Sequence, residues 1–302
     1  MNDYAHQQMV RAAVKKKFGS HKVLLAKHNA RYPEQAEREF QRVTNAYMKL
    51  LNEKLKKYLP KIKRAAEVEE SKSQRHDSTA DLIAEIQKIF NEMIFDLQKD
   101  VEGFPLYDRI EAMAKLTQKL SIAEWKKQVK ATVGIDLAED YYNGDLLKQL
   151  LQKWVDNNIG LINTIPQASL NNMRNIVIES YQRGKPTRSI MKEIQRAYNI
   201  SKSHARLIAR DQIAKLNSEI TRFQQEDAGI TQYIWSTSRD GRVRDSHKAL
   251  EGKKFSWNDP PIVDEKTGRR CHPGEDYQCR CVALAVFDID TLNIPMKESG
   301  GG

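Results

Sequence analysis

The chain has 302 residues, of which 40% are apolar and 30% charged, with a formal net charge of +10. No stretch approaches the roughly 18 apolar residues that a membrane span needs, and the opening Met1-Asn-Asp-Tyr-Ala-His lacks the apolar core of a secretory signal. The length supports two domains, and the high charge suits extended helices better than one large globule.

The charge is one-sided. Residues 1–64 carry 16 Lys/Arg against 5 Asp/Glu, a net +11 that leaves the other 238 residues near −1. A local excess of that size is the footprint of a polyanion partner. Double-stranded DNA, bound without sequence preference, is the partner expected, with Arg11, Lys15, Lys16, Lys17, Lys22 and Lys27 as its contacts. A solvated Lys-rich helix that binds nothing is the bland alternative. Six phosphate contacts would give log affinity against log salt a slope of about −5.

In chain order, Arg11 to Lys17 reads as a short basic helix stopped by Phe18-Gly19-Ser20. From Tyr32-Pro33 a second helix carries Ala36, Phe40, Val43, Tyr47, Leu50, Leu51, Leu55 and Tyr58 at three-four spacing, and Pro60 is expected to end it. Residues 61–77 are almost wholly polar and read as a linker or an exposed helix extension. Ser78-Thr-Ala-Asp81 opens a helix through Leu97, broken by Gly103-Phe-Pro105. A helix over Ile110–Leu120 follows. Ser121-Ile-Ala-Glu124 has the form of a capping box that starts another helix at Trp125.

Leu146–Ile159 is a helix that Asn157-Asn-Ile-Gly160 should close, with a new start at Pro166. Gly184 to Ser201 describes a helix, a turn and an N-cap, and His204–Asp227 a last long helix. Arg206 and Arg210 share one face of it, suited to phosphate or to ion pairs with Asp211 or Glu219. After Gly229 the pattern turns β-like at Thr231–Ser236 and Cys281–Phe287. Turns fall at Asp240-Gly241 and Lys266-Thr-Gly268, and a short helix at His247–Leu250 ends at Gly252. The fold class expected is mainly α, an elongated helical scaffold with a small α+β C-terminal domain. Its parts are a basic helical arm (1–64), helical regions (65–165 and 166–230), the α+β Cys/His domain (231–290) and a flexible tail (291–302).

All three cysteines lie in Cys271-His-Pro-Gly-Glu-Asp-Tyr-Gln-Cys279-Arg-Cys281. With His247 and His272 they make five candidate ligands for the four places of a structural zinc. Zn2+ is therefore the candidate cofactor, beside two alternatives: buried structural thiols, or a Cys271–Cys279 disulfide. Asp240, Arg242, Arg244 and His247 also suit acid-base or phosphodiester chemistry. No nucleophile motif, P-loop or His-Glu-x-x-His helix accompanies them, and local pairing of a turn accounts for them as well.

Read together, these pieces resemble the phage head-morphogenesis minor capsid proteins, similar to phage Mu protein F. The order that carries the resemblance is Arg206, Ile208, Ala209, Arg210 and Asp211 on a helix, then Gly229, Trp235, Thr237, Asp240, Arg242, Arg244, His247, Leu250 and Gly252. His272-Pro273 and Cys279-Arg280-Cys281 close it. The resemblance covers about residues 184–287. In the family the His-Pro and Cys-Arg-Cys parts stand close together; here five residues separate them and Cys271 is extra.

The resemblance implies a virion component acting in head assembly, and the lack of an accompanying catalytic motif favours a non-enzymatic role. It would be found in the host cytoplasm during assembly and then inside the head near the portal. Its implied partners are the portal and the capsid or scaffolding proteins, with packaged DNA. The rival function is a metal-dependent nuclease or a toxin-like effector delivered with the DNA.

Overall fold

A computed structural model describes residues 3–19, 23–71, 78–137 and 144–294. Lys22, the linker from 72 to 77 and the tail from 295 lie outside them. The architecture is mainly α with a small α+β C-terminal region. The helices are α1 (Asp3–Phe18), α2 (Glu34–Ser71), α3 (Ser78–Glu102), α4 (Leu106–Val133), α5 (Asp145–Gln182), α6 (Thr187–Asp227) and α7 (Asp245–Lys248). The strands are β1 (Val23–Leu25), β2 (Gln232–Ser236), β3 (Lys254–Ser256), β4 (Ile262–Asp264), β5 (Arg269–Arg270) and β6 (Val282–Asp288).

Two compact units divide the chain. One holds Met1–Arg38, Glu111–Trp154 and Arg210–Gly302; the other holds Glu39–Ile110 and Val155–Ala209. Among its described residues the second unit holds helical segments and no strand. Its core includes Phe40, Leu51, Phe90, Met93, Leu170 and Val177, and the Tyr47 hydroxyl donates to Asn163 Oδ1 at 2.8 Å.

Several helices outrun their sequence signals. α2 passes Pro60, which is exposed, while Leu55, Tyr58, Ile62 and Ala66 keep one buried stripe on either side of it. Burial along that stripe outweighs the roughly 3 kcal/mol a proline costs inside a helix. α5 runs through Gly160 and Pro166 for the same reason, with Ile162, Ile165, Leu170 and Met173 buried. α6 continues through Asn199-Ile200-Ser201, carried by the buried Ala197, Tyr198 and Ala205.

Ser121 and Glu124 sit inside α4 rather than at its start. Ser121 Oγ donates to Asn217 Oδ1 at 2.6 Å, and the Glu124 carboxylate takes His28 at 2.8 Å and the Arg31 amide at 3.0 Å. The apparent capping box thus serves tertiary contacts.

The first unit carries the sheets. A four-stranded sheet has the order β1-β6-β2-β3, and β4 pairs β5 separately; all pairings are antiparallel. β6 lies inside the sheet and buries six of its seven residues, so it reads Val-Ala-Leu-Ala-Val-Phe without alternation. Trp125 of α4 stacks on Phe287 at 5.8 Å, and the Gln128 side chain accepts the Ala285 amide at 3.2 Å. The three-residue β1 pairs Val23 with Asp288 and Leu25 with Val286, an element too short to announce itself in sequence. Leu292 and Ile294, assigned to the tail by sequence, are buried.

α6 ends in a Schellman motif: the Ile230 amide returns to Gln225 O at 2.8 Å and the Gly229 amide to Glu226 O at 2.9 Å. Gly229 has φ +74°, and a Cβ there would lie 2.1 Å from the Thr291 carbonyl oxygen. Gly229→Ala therefore loses at least about 1–3 kcal/mol, read as a lower urea midpoint at unchanged slope. An unchanged midpoint contradicts this packing.

Candidate metal centre

His247 stands on α7, a one-turn helix that begins after Arg244. Cys279 and Cys281 stand on the turn that feeds β6. That turn closes with the Cys279 amide on Asp276 O at 3.1 Å, and Gln278 takes the left-handed φ of +55°. A non-glycine residue held there is the kind of local strain that functional sites retain.

The three ligand atoms lie within 4.8 Å of one another and all three residues are buried; no fourth His, Cys, Asp or Glu joins them among the described residues. Cys279 Sγ is 3.5 Å and Cys281 Sγ 3.7 Å from the same nitrogen, His247 Nδ1. Both sulfurs thus converge on one imidazole nitrogen. In a tetrahedral zinc site, metal–sulfur and metal–nitrogen bonds of about 2.3 and 2.0–2.1 Å set such ligand atoms about 3.6 Å apart. The group has the dimensions of a metal centre.

The other imidazole nitrogen, Nε2, lies 3.1 Å from Asp276 Oδ2. Asp276 is buried and is itself held by Arg244 at 2.9 Å and Arg269 at 3.1 Å. A carboxylate behind a ligating histidine fixes the ring and its tautomer. Trp235 packs edge-on against the same ring at 5.4 Å.

The protons of the group are shared. The hydrogen bond with Cys281 and then the one with His247 outweigh burial and bring the Cys279 thiol down to about 5. The same Cys279 contact, with burial, pushes Cys281 up. Burial alone would lower His247, but Cys279 and Asp276 raise it. One proton leaves this pair of thiols easily and the second does not, as expected for coupled sites. A cation would supply the missing charge.

The remaining sequence candidates stay outside the group of three. Cys271 is half-buried against the core cluster of Tyr233, Trp235 and Trp257, to which Cys279 and Cys281 also belong. His272 Nδ1 meets the Tyr233 hydroxyl at 2.9 Å, its ring lies 4.8 Å from Trp257, and burial lowers its pKa. Neither joins the group of three.

Of the positions in the family order, Asp240 accepts the Arg242 amide at 2.9 Å and its guanidinium at 3.1 Å. Gly252 turns with φ +72° and its amide donates to Trp235 O at 2.8 Å. Arg210 pairs with Glu37 at 3.0 Å rather than with Asp211 or Glu219, and Arg206 bonds Asn45 at 3.0 Å. Among the basic candidates, Arg11 donates to Leu292 O at 3.1 Å and Lys15 pairs with Asp290 at 2.8 Å. Lys16, Lys17 and Lys27 are exposed.

Two important residues, Asp276 and Glu37, went unseen in the sequence, and Arg280 was read only as part of Cys279-Arg280-Cys281, without its partner. Asp276 lies in the stretch between His272 and Cys279, and its offset of three from Cys279 was the one available signal. Glu37 and Arg280 form a two-pronged pair at 3.0 and 2.7 Å across 243 positions, which no local pattern announces.

A family model described as Phage Mu protein F like protein matches residues 171–284, which contain the whole group. A protein of Haemophilus influenzae, described as uncharacterized, is 34% identical over 166 residues, covering 55% of this chain and 36% of its own length. The chain thus spans about a third of that relative. No solved structure matches.

Proposed function

We propose that this chain is a minor head protein of a tailed bacteriophage that works by attachment. It joins the head near the portal during assembly, contacts packaged DNA through phosphates and turns over no substrate. The family match over residues 171–284 carries this reading. Support for the site comes from the group of two thiols and an imidazole, which suits Zn2+ by donor type and spacing. Cys279, Cys281 and His247 would hold the ion, which would supply a cross-link between α7 and the turn before β6. Co-purification with phage heads and portal tests the assignment, and a chain that stays wholly in the unassembled fraction overturns it.

The DNA contact is proposed for Lys16, Lys17 and Lys27, with help from Arg11 and Lys15. Deleting residues 1–30 would also remove β1 from the sheet, so charge removal is the cleaner test. Changing Lys16, Lys17 and Lys27 to glutamine should lower the magnitude of the salt slope by about 3. An unchanged slope assigns DNA retention elsewhere.

A further inference from the structure

We infer that the fourth coordination position of this metal centre is open, and that it faces an arginine-lined cavity built for an oxyanion of the phosphate class. The inference rests on the metal reading above and goes beyond it. Closed structural zinc sites take four protein ligands, whereas sites that accept an exogenous ligand keep three. Here His247, Cys279 and Cys281 are grouped, while His272 turns to the Tyr233 hydroxyl and Cys271 packs against the apolar cluster that holds Cys279 and Cys281 without joining the group of three.

A cavity of about 120 Å³ touches all three grouped residues. Because all three line it, it is the space on which the proposed open position would border. That volume is well above the roughly 10–15 Å³ that one water needs, which leaves room for a tetrahedral oxyanion. Arg210, Arg242, Arg244 and Arg280 line it, against one carboxylate, Asp240.

The four guanidinium groups differ in role. Glu37 fixes Arg280 and Arg210 from behind, and their side chains are only 16% and 24% exposed. Arg244 and Arg242 are 44% and 67% exposed. Even counting Glu37 and Asp276, the carboxylates that pair these arginines, the ensemble stays positive. Planar forks of fixed geometry beside a cation are the recognition chemistry of phosphate. Asp276 behind His247 keeps the ligand ring from turning away.

Two sources share this chemistry: free inorganic phosphate and a phosphate of DNA. The full chain loaded with Co2+ distinguishes them, because cobalt's visible ligand-field bands report its coordination. Inorganic phosphate should shift those bands saturably. A short oligonucleotide carrying a 5′-phosphate should do so at lower concentration if DNA is the source, and no better than phosphate if it is not. Arg242→Ala should leave the cobalt spectrum of the ligand-free protein intact and weaken the phosphate response about tenfold or more.

Cobalt bands that neither ligand moves overturn the inference while leaving the metal centre standing. So does a Cys271→Ser chain with an altered cobalt spectrum, since the fourth ligand is then a protein thiol. Failure to take up cobalt at all overturns the centre, and the open position with it.

Discussion

Cys279→Ser should abolish stoichiometric zinc binding, whereas Cys271→Ser should leave it unchanged. The contrast follows from geometry: Cys279 Sγ lies 3.5 Å from His247 Nδ1, while Cys271 stays outside the group of three, packed against the core cluster that contains Cys279 and Cys281. Removing one of three protein ligands leaves two, too few to hold the ion against water. Asp276→Asn falls between, since losing the carboxylate behind a ligating histidine costs roughly 10–100-fold in affinity.

A bound ion would stabilise the fold by mass action, by about 4 kcal/mol when free metal stands a thousandfold above its dissociation constant. A chelator should therefore lower the melting temperature of the wild-type chain and of Cys271→Ser, and leave Cys279→Ser unmoved. Equilibrium dialysis with elemental analysis reads the stoichiometry and thermal melts read the linkage. Loss of metal from Cys271→Ser together with retention by Cys279→Ser would reverse the ligand assignment.

How far the sequence reaches can be judged from particular elements. Helical periodicity placed the apolar stripes correctly, because the 3.6-residue period is a local property. Stops were misread at Pro60, Gly160, Pro166 and Asn199. Pro60, Gly160 and Asn199 are exposed positions overruled by burial on the far side of the same helix, and Pro166 is itself buried; only tertiary packing supplies either. The strands at Gln232–Ser236 and Val282–Asp288 were legible from their β-branched and aromatic runs. β1 was not, since three residues carry no period.

The site was legible as chemistry and illegible as geometry. Clustered thiols and imidazoles named five candidates, and spacing along the chain could not sort grouped residues from bystanders. Asp276 and Glu37 were missed because an acidic residue acquires its role from what faces it. Each is an ordinary carboxylate until a histidine or an arginine from a distant segment is folded against it.

Glu37→Ala should be among the most destabilising single changes available, about 3–5 kcal/mol by the usual cost of stripping one partner from a buried ion pair. The Glu37 side chain is 4% exposed and takes two hydrogen bonds from Arg280, at 3.0 and 2.7 Å, and one from Arg210 at 3.0 Å. Its loss leaves two guanidinium groups partly buried without their counter-ion. Arg280 separates Cys279 from Cys281, so the turn that aims both sulfurs loosens and metal affinity falls with stability.

The acid limb of stability gives a second reading of the same carboxylate. Burial would raise its pKa, but Arg280 and then Arg210 outweigh burial and hold it below the ordinary 4.5. The phenol of Tyr32 also faces it and stays neutral, raised by burial and by Glu37 itself. A carboxylate depressed in the folded chain contributes stability that is complete above its unfolded value and is lost as pH falls through the folded value. The difference in unfolding free energy between wild type and Glu37→Gln should thus be constant above about pH 5 and shrink steadily below 4.5. Urea midpoints measured across that range decide the matter: a difference that persists undiminished into acid means the pair with Arg280 and Arg210 contributes nothing through charge.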